Sequence, residues 1–216
     1  MARRLRAATI FVAWFIVGML VSGNAYAWAY SRADAQGYAH RWASNTDILR
    51  NIYYDRYSND CTNFASQVLR AGGMPFDETG TYVWWFNPYS YDHTRSWTIA
   101  NELRMYLDGS NRAAALLPGS MRDKYSPATP GDVYVYEWGD GDGVWDHVSV
   151  SSGFGTFANY YDSANGHNYR DFTNGSGDYM SQHTRDRDYA PWNYGYWIQT
   201  DPDIRSRMKT MVLNIQ

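Results

Sequence analysis

The chain is poor in cysteine, in leucine and isoleucine, and in clustered positive charge. A single cysteine, Cys61, among 216 residues excludes an intramolecular disulfide framework. In an exported protein such a thiol is either a reactive group or an oxidation liability. Acidic residues outnumber basic ones 22 to 19, for a net charge of −3, and no basic patch stands out. That excludes the electrostatic footprint of a nucleic-acid binder. There are no internal repeats and no low-complexity linker, so one domain is expected. Ten tryptophans and twenty tyrosines take the place of the missing aliphatics. Such side chains bury area while keeping a polar handle. They also stack on sugar faces, so an extracellular glycan partner is a reading to set beside core and rim packing.

Only one long apolar run exists, Ala7 to Val21. Arg3, Arg4 and Arg6 precede it, and Ala25-Tyr26-Ala27 follows as a small-x-small cleavage site. This is the pattern of a secretory signal peptide over residues 1–27, leaving 28–216 as the mature domain. The run is short for a membrane span, so no stable span is expected after cleavage. An uncleaved N-terminal anchor is the alternative. The removed segment carries arginines and no acid, so the mature chain is more acidic still.

Helical patterns come first and strand patterns later, which points to an α+β fold. Ser31 to Ser44 reads as a helix, with Ala35, Tyr38, Ala39 and Trp42 on one face. A second helix starts at Cys61, carries Phe64, Ala65, Val68 and Leu69 at helical spacing, and stops at Gly72-Gly73. A third covers Thr98 to Leu107. Asp132 to Trp138 and Asp146 to Ser152 alternate as strands around a Gly/Asp turn. Further strands are expected at Thr156 to Tyr161, Tyr179 to His183 and Tyr194 to Ile198, and a short helix within Pro202 to Met211. The turn Asp140-Gly141-Asp142-Gly143 has some oxygen ligands of a calcium loop but lacks its closing glutamate. A plain acidic hairpin is expected there, with no metal and no cofactor.

Cys61 in a first helical turn meets the helix dipole and free backbone N–H groups, which favour a thiolate. The plain alternative is a small buried hydrophobe. A thiol nucleophile needs a base. His40, His93 and His167 read as helix-surface or loop residues. His147 differs, because it starts a strand that reads as buried, where a rigid scaffold can aim an imidazole. Asp60 reads as a helix cap, Gln67 as structural, and Asp146 as facing away from the partner of His147.

The string Asn59-Asp60-Cys61-Thr62-Asn63-Phe64-Ala65-Ser66-Gln67, followed by Gly72-Gly73, resembles the signature of the putative amidase domain family of secreted bacterial proteins. Ala39-His40-Arg41-Trp42-Ala43, Ser96-Trp97-Thr98, Pro130-Gly131-Asp132-Val133, Trp145-Asp146-His147-Val148 and Ser181-Gln182-His183-Thr184 resemble further parts of it, in order, over roughly residues 30 to 190. That family is similar to papain-like cell-wall hydrolases of the CHAP and NlpC types. The resemblance implies a helix-borne cysteine packed on an antiparallel sheet that carries the histidine. It also implies a third residue that orients His147. NlpC-like relatives use a histidine, which implies His183, and CHAP-like relatives use a carboxylate or amide, which implies Gln182. Adjacent strand residues face opposite ways, so only one can serve; the resemblance favours His183. Between Gly153 and Tyr179 the chain is longer than the short hairpin the resemblance implies, and an extra hairpin or a flexible lid near the site is expected.

The expected activity is that of a secreted, monomeric cysteine amidohydrolase. Cys61 is the nucleophile and His147 the base, with peptidoglycan or another extracellular amide as substrate. Tyr54 and Tyr57 are candidate oxyanion donors beside the Cys61 backbone N–H. Trp84, Trp85 and Trp97 are candidate walls of a substrate groove. The alternative is a catalytically idle papain-like module that binds cell-wall glycan or peptide through its aromatics.

Overall fold

A computed structural model describes residues 28–43 and 50–216. The expected leader, residues 1–27, lies outside the described residues. Helix α1 (Arg32–Trp42) starts at Ser31, whose hydroxyl accepts the Asp34 backbone N–H at 3.2 Å. Helix α2 (Cys61–Ala71) buries every residue from Cys61 to Leu69. Its apolar positions at +3, +4, +7 and +8 face the core, and Phe64, Ala65, Val68 and Leu69 are fully buried. Burying a phenylalanine or leucine completely contributes about 1.5–3 kcal/mol each. Gly73, at φ +95°, takes the left-handed conformation that ends the helix. The Gly72 carbonyl accepts Ser31 N–H at 2.8 Å and so joins the end of α2 to the start of α1.

The third expected helix is two: α3 (Arg95–Thr98) and α4 (Ala100–Gly109), separated by extended Ile99 (φ −118°, ψ 123°). Strands β1 (Ala113–Leu116), β2 (Val133–Glu137), β3 (His147–Thr156), β6 (Ser176–Gln182), β7 (Arg187–Pro191) and β8 (Lys209–Ile215) form one antiparallel sheet in the order β1-β8-β2-β3-β6-β7. In the stretch expected as an extra hairpin or lid, β4 (Tyr161–Asp162) and β5 (His167–Asn168) pair as a small hairpin.

Two expected strands are not found. Tyr194 to Ile198 is helix α5, and Thr156 to Tyr161 is no single strand, since β3 ends at Thr156 and β4 begins at Tyr161. The short helix expected within Pro202 to Met211 is α6 (Pro202–Arg207), after which the chain runs as β8, between β1 and β2.

The sheet is buried on both faces. Val133, Val135, Val148 and Val150 pack against α1, α2 and α4, together with Phe64 and Leu69. Tyr134, Tyr136, Met180 and Val212 face the other way, onto Trp192, Tyr194 and Tyr169. Register places Tyr136 opposite His147 and Val133 opposite Val150. His147 thus stands at the end of a central strand, beside the first turn of α2.

Trp97 is fully buried, contacts Trp84 at 4.9 Å and Phe86 at 5.3 Å between ring centroids, and donates its indole N–H to Asn63 Oδ1 at 2.8 Å. Trp97→Ala is expected to cost about 3–5 kcal/mol. Trp85→Ala, at a half-buried position, should stay within about 1 kcal/mol. Urea unfolding of both variants checks this; equal midpoints would contradict the core assignment of Trp97.

Candidate functional site

Cys61 is 2% exposed at the start of α2. Burial alone pushes its thiol up. The charge of His147 and a hydrogen bond from its ring, the Val148 backbone N–H and the Thr62 hydroxyl outweigh that and bring the pKa down to about 7. For His147, burial opposes the charged ring, but the Cys61 charge, its hydrogen bond to Cys61 and that to Gln182 win and raise its pKa. The two groups therefore stabilise each other as thiolate and imidazolium.

The ring is aimed by β6. His147 Nε2 lies 2.9 Å from Gln182 Oε1. The orientation of that amide is fixed, because Gln182 Nε2 donates to the Arg185 carbonyl at 2.9 Å. A carbonyl only accepts, so the amide oxygen must face the ring and His147 Nε2 must carry the hydrogen. Nδ1 is left as the ring nitrogen for the hydrogen bond with Cys61.

The structure reverses the expectation that His183 orients His147. The His183 ring points to the opposite side of β6, with Nδ1 2.5 Å from Asp60 Oδ2 and Nε2 donating to the Trp42 carbonyl at 3.0 Å. It stacks on Phe64 at 4.1 Å and is 1% exposed. Asp60 occupies the cap position of α2 but makes no side-chain cap. Its carboxylate instead takes His183, Asn63 Nδ2 at 2.8 Å and Tyr57 N–H at 3.2 Å, with Arg50 Nε 3.6 Å away. His183 thus braces the approach to Cys61 from behind.

Other expected residues fall away from the pair. Trp84 and Trp97 are fully buried, with Trp84 Nε1 donating to Ser66 Oγ at 3.1 Å, so neither offers a face to a substrate. Trp85 is half-buried and pairs its backbone with Thr94. Tyr54 packs on Phe86 and Trp97, and the Tyr57 hydroxyl lies 3.3 Å from His93 Nδ1. Gln67 accepts the Tyr38 hydroxyl at 2.7 Å, in keeping with a structural role. His40 is held between Asp188 Oδ1 and the Ser152 carbonyl, both at 2.8 Å, rather than lying free on a helix surface.

Several residues near the pair, Asn59 of the cysteine motif apart, carry no sequence signal. A cavity of about 120 Å³ adjoins His147 and Gln182, walled by Tyr136, Trp138, Met180, Arg187 and Trp192. The Trp138 ring centroid is 5.6 Å from that of His147. Asn59, exposed, has its side-chain oxygen 3.6 Å from the thiol. Only the cavity's contact with His147 marks these aromatics off from the rest of an aromatic-rich chain.

The pairing sets the pH dependence of the thiol. Alkylation of Cys61 by iodoacetamide should rise through an inflection near the thiol pKa of about 7. In His147→Ala the buried thiol loses its counter-charge and the inflection should move up. An unchanged profile in the variant would rule the pairing out.

The chain is 35% identical over 127 residues to the uncharacterized protein YhbB of Bacillus subtilis (strain 168), covering 57% of this chain and 37% of that one. It is 32% identical over 127 residues to the uncharacterized protein YjcM of the same strain, covering 56% and 27%. The chain thus spans about a third of the length of these relatives. No solved structure matches. The family described as "Putative amidase domain" matches residues 29–208, nearly all of the described chain, and this chain belongs to that family.

Proposed function

We propose that the protein is a cysteine amidohydrolase with Cys61 as nucleophile, His147 as proton carrier and Gln182 as the residue that orients it. The observation that carries this reading is the placement of the pair: a buried cysteine in the first turn of α2 hydrogen-bonded to His147, whose Nε2 is held by the anchored Gln182 amide, with the thiol brought down and the imidazole raised in consequence. An idle buried cysteine would be pushed the other way. Family membership supports amide hydrolysis as the reaction class.

In this mechanism the Cys61 thiolate adds to the amide carbonyl. The developing oxyanion meets the backbone N–H groups of the first turn of α2, which the helix leaves without intrahelical partners. His147, protonated on Nδ1, gives that proton to the departing nitrogen as the C–N bond breaks. The acyl group is left as a thioester on Cys61. Water then attacks the thioester while His147 Nδ1 takes its proton, and the thiolate departs to leave a free carboxylate. Gln182 holds Nε2–H throughout, so only Nδ1 shuttles.

A papain-like arrangement, with the cysteine on a helix and the histidine on an adjoining strand, is part of the proposal. So is export, which rests on the residue 1–27 pattern. The proposed substrate is peptidoglycan, supported by that pattern and by the resemblance to cell-wall hydrolases. No helix among the described residues is long and apolar enough to cross a membrane. Digestion of purified cell wall by residues 28–216, followed by muropeptide analysis, tests the substrate: new free amines and carboxyls support it, and an unchanged muropeptide pattern excludes it.

Two outcomes separate the roles. Cys61→Ser and His147→Ala should each abolish amide hydrolysis with the fold retained; full activity of Cys61→Ser would sink the nucleophile assignment. Gln182→Ala should lower kcat by roughly 10²- to 10⁴-fold, the range for losing a group that fixes a catalytic imidazole. His183→Ala should act on stability instead. It removes one buried hydrogen bond to the Asp60 carboxylate, which keeps Asn63, Tyr57 and Arg50, and empties the space against Phe64, a loss of about 1.5–3 kcal/mol. Thermal melts and steady-state kinetics on both variants distinguish the two, and a crippled but fully stable His183→Ala would overturn the assignment.

A further inference from the structure

The hairpin β4–β5 lies between β3 and β6, and it sends one carboxylate inward. Asp162 Oδ2 accepts Arg187 NH2 at 2.8 Å, the Tyr194 hydroxyl at 2.7 Å and Asn165 Nδ2 at 2.7 Å. The Asp162 and Arg187 side chains are each only 8% exposed. Burial works against the Asp162 carboxylate, yet these donors hold it well below the ordinary carboxylate range, so it is charged. Arg187 stands opposite Gln182 in the β6–β7 register. Its NH1 donates at 3.2 Å to the Arg185 carbonyl, the same oxygen that takes Gln182 Nε2 at 2.9 Å. Arg187 also walls the cavity beside His147, and its Nε is buried with no partner. Gln182 in turn holds His147 Nε2. The chain of contacts runs unbroken from the hairpin to the imidazole.

We propose that Asp162 is a positioning residue of the Cys61–His147 site, acting through Arg187 and the Arg185 carbonyl to hold the Gln182 amide, and with it the His147 ring, in the working orientation. The proposal rests on the cysteine amidohydrolase reading for its catalytic readout alone. Asp162 has a second effect, through charge. The Arg187 guanidinium opposes protonation of His147. Asp162 balances that guanidinium, so the imidazolium form survives beside a buried cation. The charged and titratable groups around this region are few. Cys61 faces His147 from α2, and Tyr136 and Trp138 pack on its ring from the β2 side. Around Arg187 stand Asp162, Tyr194 and Tyr169. Asp186 is taken up by Arg50, and Asp188 by His40 and Ser181. Asp162 is the carboxylate that meets Arg187 directly.

The signs follow from charge. Asp162→Asn keeps the shape and most hydrogen bonds but leaves Arg187 unbalanced, so the imidazolium is destabilised and His147 titrates at lower pH. Arg187→Gln leaves Asp162 unbalanced, so His147 titrates at higher pH. In the double variant both charges are gone and the midpoint should return toward that of the wild type. Titration of the His147 ring by NMR, assigned by its absence in His147→Ala, reads this without any substrate. On an amide substrate, the alkaline limb of kcat/KM should move in the same directions. Asp162→Asn should also lose roughly tenfold in kcat, the size of one weakened charge-assisted hydrogen bond, with KM nearly unchanged. Opposite midpoint shifts in the two single variants, cancelling in the double, support the proposal. Shifts of the same sign, or no shift with only a lowered melting temperature, overturn it. Opposite shifts in a protein that hydrolyses no amide would retain the Asp162 link and sink the amidohydrolase reading.

Discussion

The site depends on one dipeptide. Gln182 ends strand β6 and His183 opens the turn that follows, and the two side chains point to opposite sides of the strand. Gln182 reaches the His147 ring on β3, and His183 reaches Asp60, the residue before Cys61. Neither half of the pair is therefore placed independently. A shift of β6 along its neighbours would move the amide off the imidazole and the imidazole of His183 off Asp60 together. The Thr184 hydroxyl adds a third tie, since it accepts the Asp60 backbone N–H at 2.7 Å. The start of α2 is in this way fastened to the strand that aims the base, and the helix packs its apolar face against β3 to complete the triangle.

Such fastening is costly in principle. Asp60, His183, Arg50 and Asp186 are all largely buried, and taking charges out of water costs several kcal/mol per ion before their attraction is counted. An apolar cluster of the same volume would hold the helix to the sheet at least as firmly. It would not set a direction. The Asp60 carboxylate accepts from Asn63, Tyr57 and His183 at fixed positions, and Arg50 grips both Asp186 oxygens. Directional contacts of this kind fix the rotation of α2 about its own axis, which decides where the sulfur points. The network is better understood as geometry for the thiol than as a source of stability.

Much of this was legible in the residues. The Cys61 helix is amphipathic at helical spacing and closed by two glycines, so local pattern and tertiary burial agree. Strands β2 and β3 alternate, and His147 at the start of β3 stood out from the other histidines. The third residue was not legible in the same way. Alternation says that Gln182 and His183 face apart but not which faces inward, and the register slips between Met180 and Gln182 remove even that periodicity. The misreading of Tyr194 to Ile198 has a similar cause. Tyrosine and tryptophan favour strands on average, but here Tyr194 and Ile198, four residues apart and so on one side of a short helix, pack under the second face of the sheet, and packing overrides propensity. Strand β8 was hidden because Pro202 and the residues after it do form a helix, and nothing local marks the switch to extended chain at Lys209. The role of Asp162 was invisible because its partner Arg187 is brought to it only by the fold. Trp84 and Trp97 were ambiguous by nature, since an indole suits a groove and a core equally until its N–H is seen to have a buried partner.

The aromatic surplus and the solitary cysteine are two sides of one solution. A domain without disulfides must gain uniqueness from its interior, and an interior of leucine alone packs in many near-equivalent ways. Here the large buried rings carry a polar atom with an assigned partner. Trp84 donates to Ser66, Trp97 to Asn63 and Trp192 to the Asp123 carbonyl, while the hydroxyls of Tyr106, Tyr134 and Tyr136 are bound by Asp77, Ser126 and Ser149. Each ring is thereby held in one orientation as well as one place, which is the service a disulfide renders by other means. The consequence reaches the site. A second cysteine would give Cys61 a competing partner in an oxidising compartment, since a low-pKa thiolate is the form that enters disulfide exchange. A core stapled by indole and phenol hydrogen bonds leaves the one thiol of the chain with His147 as its chemical partner.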